Sequence, residues 1–118
     1  MAVRESFDVE RLEAEQLASG RAYREFLRVP ALSCGLYILP AGGTDPQSPH
    51  TEDEIYYVVH GRATLDVGDH EHLVHPGSVV YVAANLPHRF HSIEEDLRIL
   101  VFFAPAEGTG SGKPKRRA

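Results

Sequence analysis

Sulfur chemistry is nearly absent from the sequence, which has one cysteine, Cys34, and one methionine among 118 residues, and no tryptophan. A single cysteine forms no disulfide within the chain and no thiolate cluster, so a bound metal would depend on histidine and carboxylate ligands. There is no uninterrupted run of about 18 apolar residues, the length a spanning helix needs. The opening MAVRESFDVERLE lacks the apolar block of a secretory signal. These absences predict a cytoplasmic protein without a membrane partner. Basic residues are also scarce outside the end of the chain. Lys113, Lys115, Arg116 and Arg117 lie in the last six residues, so residues 1–112 carry 17 acidic side chains against 8 basic ones, a net charge of −9. An acidic body repels phosphate and argues against a nucleic-acid partner, and the short basic run reads as a solvated terminus.

The remaining composition, 42% hydrophobic and 25% charged, is that of one small globular domain. Residues 1–22 form an N-terminal segment in which Val9, Leu12 and Leu17 are spaced for a short amphipathic helix between Ser6 and Ser19. Asp8 is available to cap its start, and Gly20 ends it. Residues 23–105 change texture to short runs of Val, Ile, Leu, Tyr and Phe divided by Gly, Pro, Asn and Asp. Eight strands are predicted: Tyr23–Val29, Ser33–Leu39, Ile55–His60, Ala63–Val67, His72–His75, Val79–Val82, His88–Ile93 and Leu97–Phe103. So many strands in so short a chain point to an all-β barrel or jelly roll, which closes or covers its sheet edges. Residues 106–118, rich in glycine and basic at the end, are expected to be a disordered tail.

The chemistry concentrates between Gly42 and Glu54. On an extended segment Ser48 and His50 point the same way. A turn at Thr51 to Asp53 would let Glu54 open the next strand across from His50, and His88, after Asn85-Leu86-Pro87, begins a later strand. Two imidazoles and one carboxylate are a recognised metal-binding set. Glu52 and Gln47 are further oxygen donors nearby, with Glu52 read as a solvated turn residue. Tyr56 and Phe90 share strand parity with Glu54 and His88 and are candidate cavity walls, whereas Tyr57, Arg89 and His91 should face away. His70 and His72 fall at a hairpin tip, His60 and His75 read as surface or rim residues, and Cys34 reads as core. On the last strand both alternating sets are apolar, which leaves the inward face unassigned.

At these residues the sequence resembles the cupin superfamily. The first cupin motif is matched in spacing by Gly42, five residues, Ser48-Pro49-His50, three residues, Glu54, six residues and Gly61, with serine where the family has its first histidine. The second is matched by Gly77, five residues, Ala83-Ala84-Asn85, two residues, His88, three residues and Ser92, which keeps the glycine and the histidine but not the proline, second glycine or asparagine. The resemblance implies a double-stranded β-helix with a divalent metal, iron, manganese, zinc or nickel, held by His50, Glu54 and His88. With Ser48 in place of a ligand, either this three-residue set binds metal with more open positions or the pocket works without metal. Oxygenase, isomerase and lyase chemistry on a small organic molecule are all consistent with the family, as is noncatalytic binding or sensing. A homodimer is the expected assembly.

Overall fold

The computed structural model describes residues 4–46 and 49–110. Helix α1 spans Val9–Ser19, and the strands that follow are β1 Tyr23–Val29, β2 Leu32–Leu39, β3 Asp53–Val67, β4 His70–Val74, β5 Val79–Val82 and β6 His88–Ala104. The strands are hydrogen-bonded in the order β1-β2-β6-β3-β4, with β5 laid against β3, and the pairings are antiparallel. The chain is an all-β jelly-roll barrel with one short helix, the class the strand pattern predicts.

Eight expected strands become six because two breaks are bends. Around Gly61 the register between β3 and β6 slips repeatedly between Val58 and Thr64, so β3 turns a corner without ending. Gly61 has φ +99°, and a Cβ there would stand 2.3 Å from the carbonyl oxygen of Asp96 on β6. Only glycine allows that approach. Each long strand therefore serves both ends of the barrel. Glu54 to Tyr57 pairs with β5 and with the far part of β6, while Ala63 to Val67 pairs with β4, and Thr64 to Val67 also with the start of β6.

Alternation along these strands places the core. On β6 Leu97, Ile99, Val101 and Phe103 are buried, which assigns the inward face that two apolar sets left open. Each such side chain contributes about 1.5–3 kcal/mol by leaving water. Cys34 is buried, as read from its apolar run. The outer face keeps Ile55, Tyr57, Val79, Tyr81 and Phe102 exposed, and register sets Ile55 between Tyr81 and Phe102 and Tyr57 beside Val79.

Helix α1 lies on the barrel by a different face from the one its leucines suggest. Leu12, Glu13 and Gln16 are buried, whereas Leu17 is 55% exposed. Gln16 Nε2 donates to the carbonyls of Ala22 at 3.0 Å and Leu36 at 2.9 Å, and Arg98 Nη1 donates to Glu13 Oε1 at 2.9 Å. Gly20, with φ +77°, ends the helix and donates to the Gln16 carbonyl at 3.0 Å. The Asp8 side chain makes no capping bond; its carbonyl accepts the Leu12 amide instead.

Residues 106–110, grouped by sequence with the tail, lie against the barrel. Ala106 is buried and its amide faces the Pro30 carbonyl at 3.3 Å. The Glu107 amide donates to Ser33 Oγ at 2.9 Å, and the Gly110 amide donates to Glu52 Oε2 at 2.8 Å. Residues 111–118, with the basic run, fall outside the described residues.

Candidate metal centre

Three local structures bring the candidate ligands together. β3 begins at Asp53, so Glu54 points inward at its second position. The turn before β6 is tied to this strand start: Asp53 Oδ1 accepts the Ala84 amide at 3.0 Å and the Tyr81 hydroxyl at 3.2 Å. Within that turn Asn85 adopts φ +65°, a conformation asparagine tolerates, and its amide donates to the His50 carbonyl at 2.6 Å. His88, three residues on, is thereby delivered beside Glu54.

The result is a compact set. Single ligand atoms of His50, Glu54 and His88 all lie within 4.8 Å of one another. The His50 and His88 rings are 5.5 Å apart between centroids, and His50 sits edge-on to Phe103 at 4.8 Å. His88 Nε2 is 3.2 Å from Glu54 Oε1, with both side chains 1% exposed. His88 Nδ1 stands 2.9 Å from the Leu86 carbonyl oxygen, which only accepts, so Nδ1 carries a proton and Nε2 faces the carboxylate. Fixing one ring nitrogen on a backbone carbonyl is how a metal-ligating histidine is usually oriented.

The Glu54 carboxylate is the unusual group. Both oxygens are buried and, among the described residues, neither receives a hydrogen bond; the His88 contact is an ion-pair approach and not an aligned bond. A desolvated carboxylate without donors is costly unless a cation compensates it. That orphaned pair of oxygens, facing two imidazoles, fits a divalent cation in donor type and spacing. Burial pushes the His88 pKa down, but the Glu54 carboxylate and the Leu86 carbonyl outweigh it, and the net direction is upward.

A cavity of about 200 Å³ adjoins the set, lined by Tyr23, Tyr37, Tyr56, Val101, Phe103 and Glu107 together with His50 and Glu54. Tyr56 and Phe90 face inward as their parity predicts, packed at 4.9 Å, while Tyr57 and Arg89 face out. Two acidic residues were not singled out from the sequence. Asp45 is buried, accepting the Tyr37 hydroxyl on Oδ1 and the Phe90 amide, at 2.9 Å, on Oδ2. Glu107 brings Oε2 to 3.6 Å from His50 Nδ1, and burial followed by the charges of Glu52 and Glu54 pushes its pKa up.

Other candidates lie elsewhere. Glu52, read as a solvated turn residue, is 2% exposed and stands outside the three-residue set; its carboxylate accepts from Thr51 Oγ1 and the Gly110 amide. Ser48 and Gln47 lie outside the described residues. His60, His70, His72 and His75 are exposed, and His91 faces out to bond Asp66 Oδ1 at 3.0 Å. With Asp66 and Glu71, His91 forms a second close group of metal-binding types on the outer surface.

Residues 35–103 match the family model described as a cupin domain. The chain is 53% identical over 102 residues to the uncharacterized protein SCO3923 of Streptomyces coelicolor, covering 86% of this chain and 97% of that one. Among solved structures it is similar to TT1209 from Thermus thermophilus, with 25% identity, a TM-score of 0.68 and coverage of 87% and 99% of the two chains. It is also similar in fold to the DMSP lyase DddQ from Ruegeria pomeroyi, with 21% identity and a TM-score of 0.67, covering 80% of this chain and 49% of that one.

Proposed function

The chain belongs to the cupin domain family, and on that premise we propose that it binds one divalent cation through His50, Glu54 and His88 and acts on a small organic molecule in the adjoining cavity. The observation that carries this reading is the buried Glu54 carboxylate, which has no hydrogen-bond donor among the described residues and faces two imidazoles. When bound, the cation supplies Lewis acidity or a centre for oxygen chemistry. Three protein ligands leave positions for substrate, which suits dioxygenase, isomerase and lyase chemistry alike. The chain's own residues do the rest. The Leu86 carbonyl holds the His88 ring, Asp45 holds Tyr37 at the cavity wall, and Tyr56, Val101 and Phe103 exclude water beside the ligand set.

Metal analysis of untagged protein tests this reading. One equivalent of a divalent metal is expected in native or reconstituted protein, with at least a tenfold loss of affinity in His50→Ala and in His88→Ala. No metal in either the native or the reconstituted protein overturns it.

A second reading is favoured by one observation. The direct approach of His88 Nε2 to Glu54 Oε1, at 3.2 Å, gives the buried carboxylate an imidazole neighbour within the protein, as a metal-free binding or sensing pocket requires. Small-molecule binding that persists after chelation, with no turnover of the bound compound, would establish it over the first.

The proposal extends to assembly as a homodimer and to a cytoplasmic location. Ile55, Tyr57, Val79, Tyr81 and Phe102 form a neighbouring apolar set on the outer sheet face, which a second copy would cover. No helix among the described residues is long and apolar enough to cross a membrane. Light scattering of native protein is expected to give twice the chain mass, and Val79→Glu the mass of one chain. A native monomer refutes the dimer.

A further inference from the structure

Tyr23 opens β1 opposite Tyr37, with ring centroids 6.0 Å apart and planes at 73°. Its phenol end lies over the bare backbone of Gly35. A Cβ at Gly35 would stand 2.1 Å from Tyr23 Oη and 2.2 Å from Cζ. Glycine at this point of β2 therefore makes the space in which the hydroxyl sits, and any side chain there displaces it. Tyr23 Oη is shielded from solvent and, among the described residues, has no hydrogen-bond partner. Tyr37 differs, since its hydroxyl is taken by Asp45. Tyr23 lines the cavity that His50 and Glu54 border. A buried hydroxyl without a partner is a penalty that phenylalanine would avoid. Burial, then the charges of Glu107, Glu25 and Glu54, hold its pKa well above the usual phenol value, so the group remains a donor.

We propose that Tyr23, seated on Gly35, is the specificity-determining residue of the cavity, and that its O–H donates to the hydroxyl oxygen of a small hydroxy acid whose carboxylate faces the cation. The carboxylate end rests on the metal reading above. A divalent cation held by one carboxylate and two neutral imidazoles keeps a net positive charge and takes an anionic oxygen. Val101 and Phe103 supply an apolar wall for the carbon chain of the acid. Tyr23 meets the polar group farther along that chain and rejects the analogue that lacks it, because the phenol would then stay buried without a partner.

The test uses zinc-loaded protein with butanoate, 3-hydroxybutanoate and 4-hydroxybutanoate as probes, their dissociation constants read by ligand-observed NMR. Native protein is expected to bind at least one hydroxy acid about fivefold or more tighter than butanoate. Tyr23→Phe is expected to bind all three alike, with zinc content unchanged and Tm unchanged or higher, a combination that a structural role for the hydroxyl would not produce. Gly35→Ala should lose the same preference by displacing the ring; because it also strains the β1–β2 pairing, Tyr23→Phe decides. Zinc uptake with no hydroxyl preference in native protein, with no binding of any probe, or with the preference intact in Tyr23→Phe overturns this inference alone. Failure of native protein to take up zinc overturns the metal reading, and with it the placement of the carboxylate, and metal analysis distinguishes the two failures.

Discussion

The backbone amide of Asn85 donates to the carbonyl of His50 at 2.6 Å, so a single main-chain bond ties the loop that carries one candidate ligand to the turn that delivers another. Asn85 itself holds φ +65°, which turns the chain beyond that amide toward His88. Asn85→Gly keeps that conformation and is expected to retain metal affinity. Asn85→Val, β-branched and strained there, is expected to lose about 1–2 kcal/mol of stability and to weaken metal binding. Denaturant titration and metal titration of the two variants check both.

Gly61 and Gly77 have nearly the same φ, +99° and +96°, but different surroundings. A Cβ at Gly61 meets the Asp96 carbonyl oxygen at 2.3 Å, while nothing stands within 4 Å of one at Gly77. Gly77→Ala should therefore show dihedral strain alone, about 1–2 kcal/mol. Gly61→Ala adds a backbone collision at the corner of β3 and should lose about 4 kcal/mol or more. Equal losses, measured by urea unfolding, would show that the approach of β3 to β6 is not what requires glycine at position 61.

Two of the five tyrosines, Tyr23 and Tyr37, have pKa values raised well above the ordinary 10.0, in each case by burial first and then by carboxylate neighbours, with Tyr37 also bonded to Asp45. For a phenol raised in the folded state, the unfolded chain loses its proton first as pH increases. The stabilisation is thus complete below the unfolded value of about 10 and is lost as pH climbs beyond it. Alkaline spectrophotometric titration should find these two phenols silent until the protein unfolds, and Tyr37→Phe should leave one such group.

Glu52 holds the strap at residues 106–110. Burial raises its pKa, but hydrogen bonds from Thr51, Gly110 and Gly108 prevail and the net direction is downward. A carboxylate with a depressed folded pKa stabilises above the unfolded value near 4.5, and the contribution disappears as pH falls through the folded one. Glu52→Gln is expected to lose about 1–2 kcal/mol and to speed amide exchange across residues 106–110 at neutral pH. Native protein should show the same acceleration on acidification; unchanged exchange in the variant counts against the strap.

Much of this architecture is legible in the residues, and the parts that are not share a cause. Val, Ile and aromatic alternation marks β1 and β5 to the residue because that signal is local, and two separated motifs mark His50, Glu54 and His88 as a candidate set, whose ligand atoms lie within 4.8 Å of one another. Gly61 reads as a break because a glycine that ends a strand and one that bends it look alike until the Asp96 carbonyl opposite is known. The last strand hides its inward face because Leu100 and Phe102 are as apolar as Val101 and Phe103. Glu107 and Tyr23 escape because each reaches the cavity region from a segment with no motif of its own, and Asp45 because it occupies one of the five unspecified positions between Gly42 and Ser48. Their roles are set by partners as distant in sequence as Phe90 from Asp45 and Ser33 from Glu107.

Strand β6 lies between β2 and β3 and pairs with both, yet it is the last strand in chain order. During synthesis the β1–β2 and β3–β4 hairpins emerge well before the strand that joins them, each with an edge still open. Contacts of such long sequence separation make for slow folding, and unpaired edges invite association with other nascent chains. Closure of the barrel, and the meeting of His88 with Glu54, must wait until β6 has cleared the ribosome.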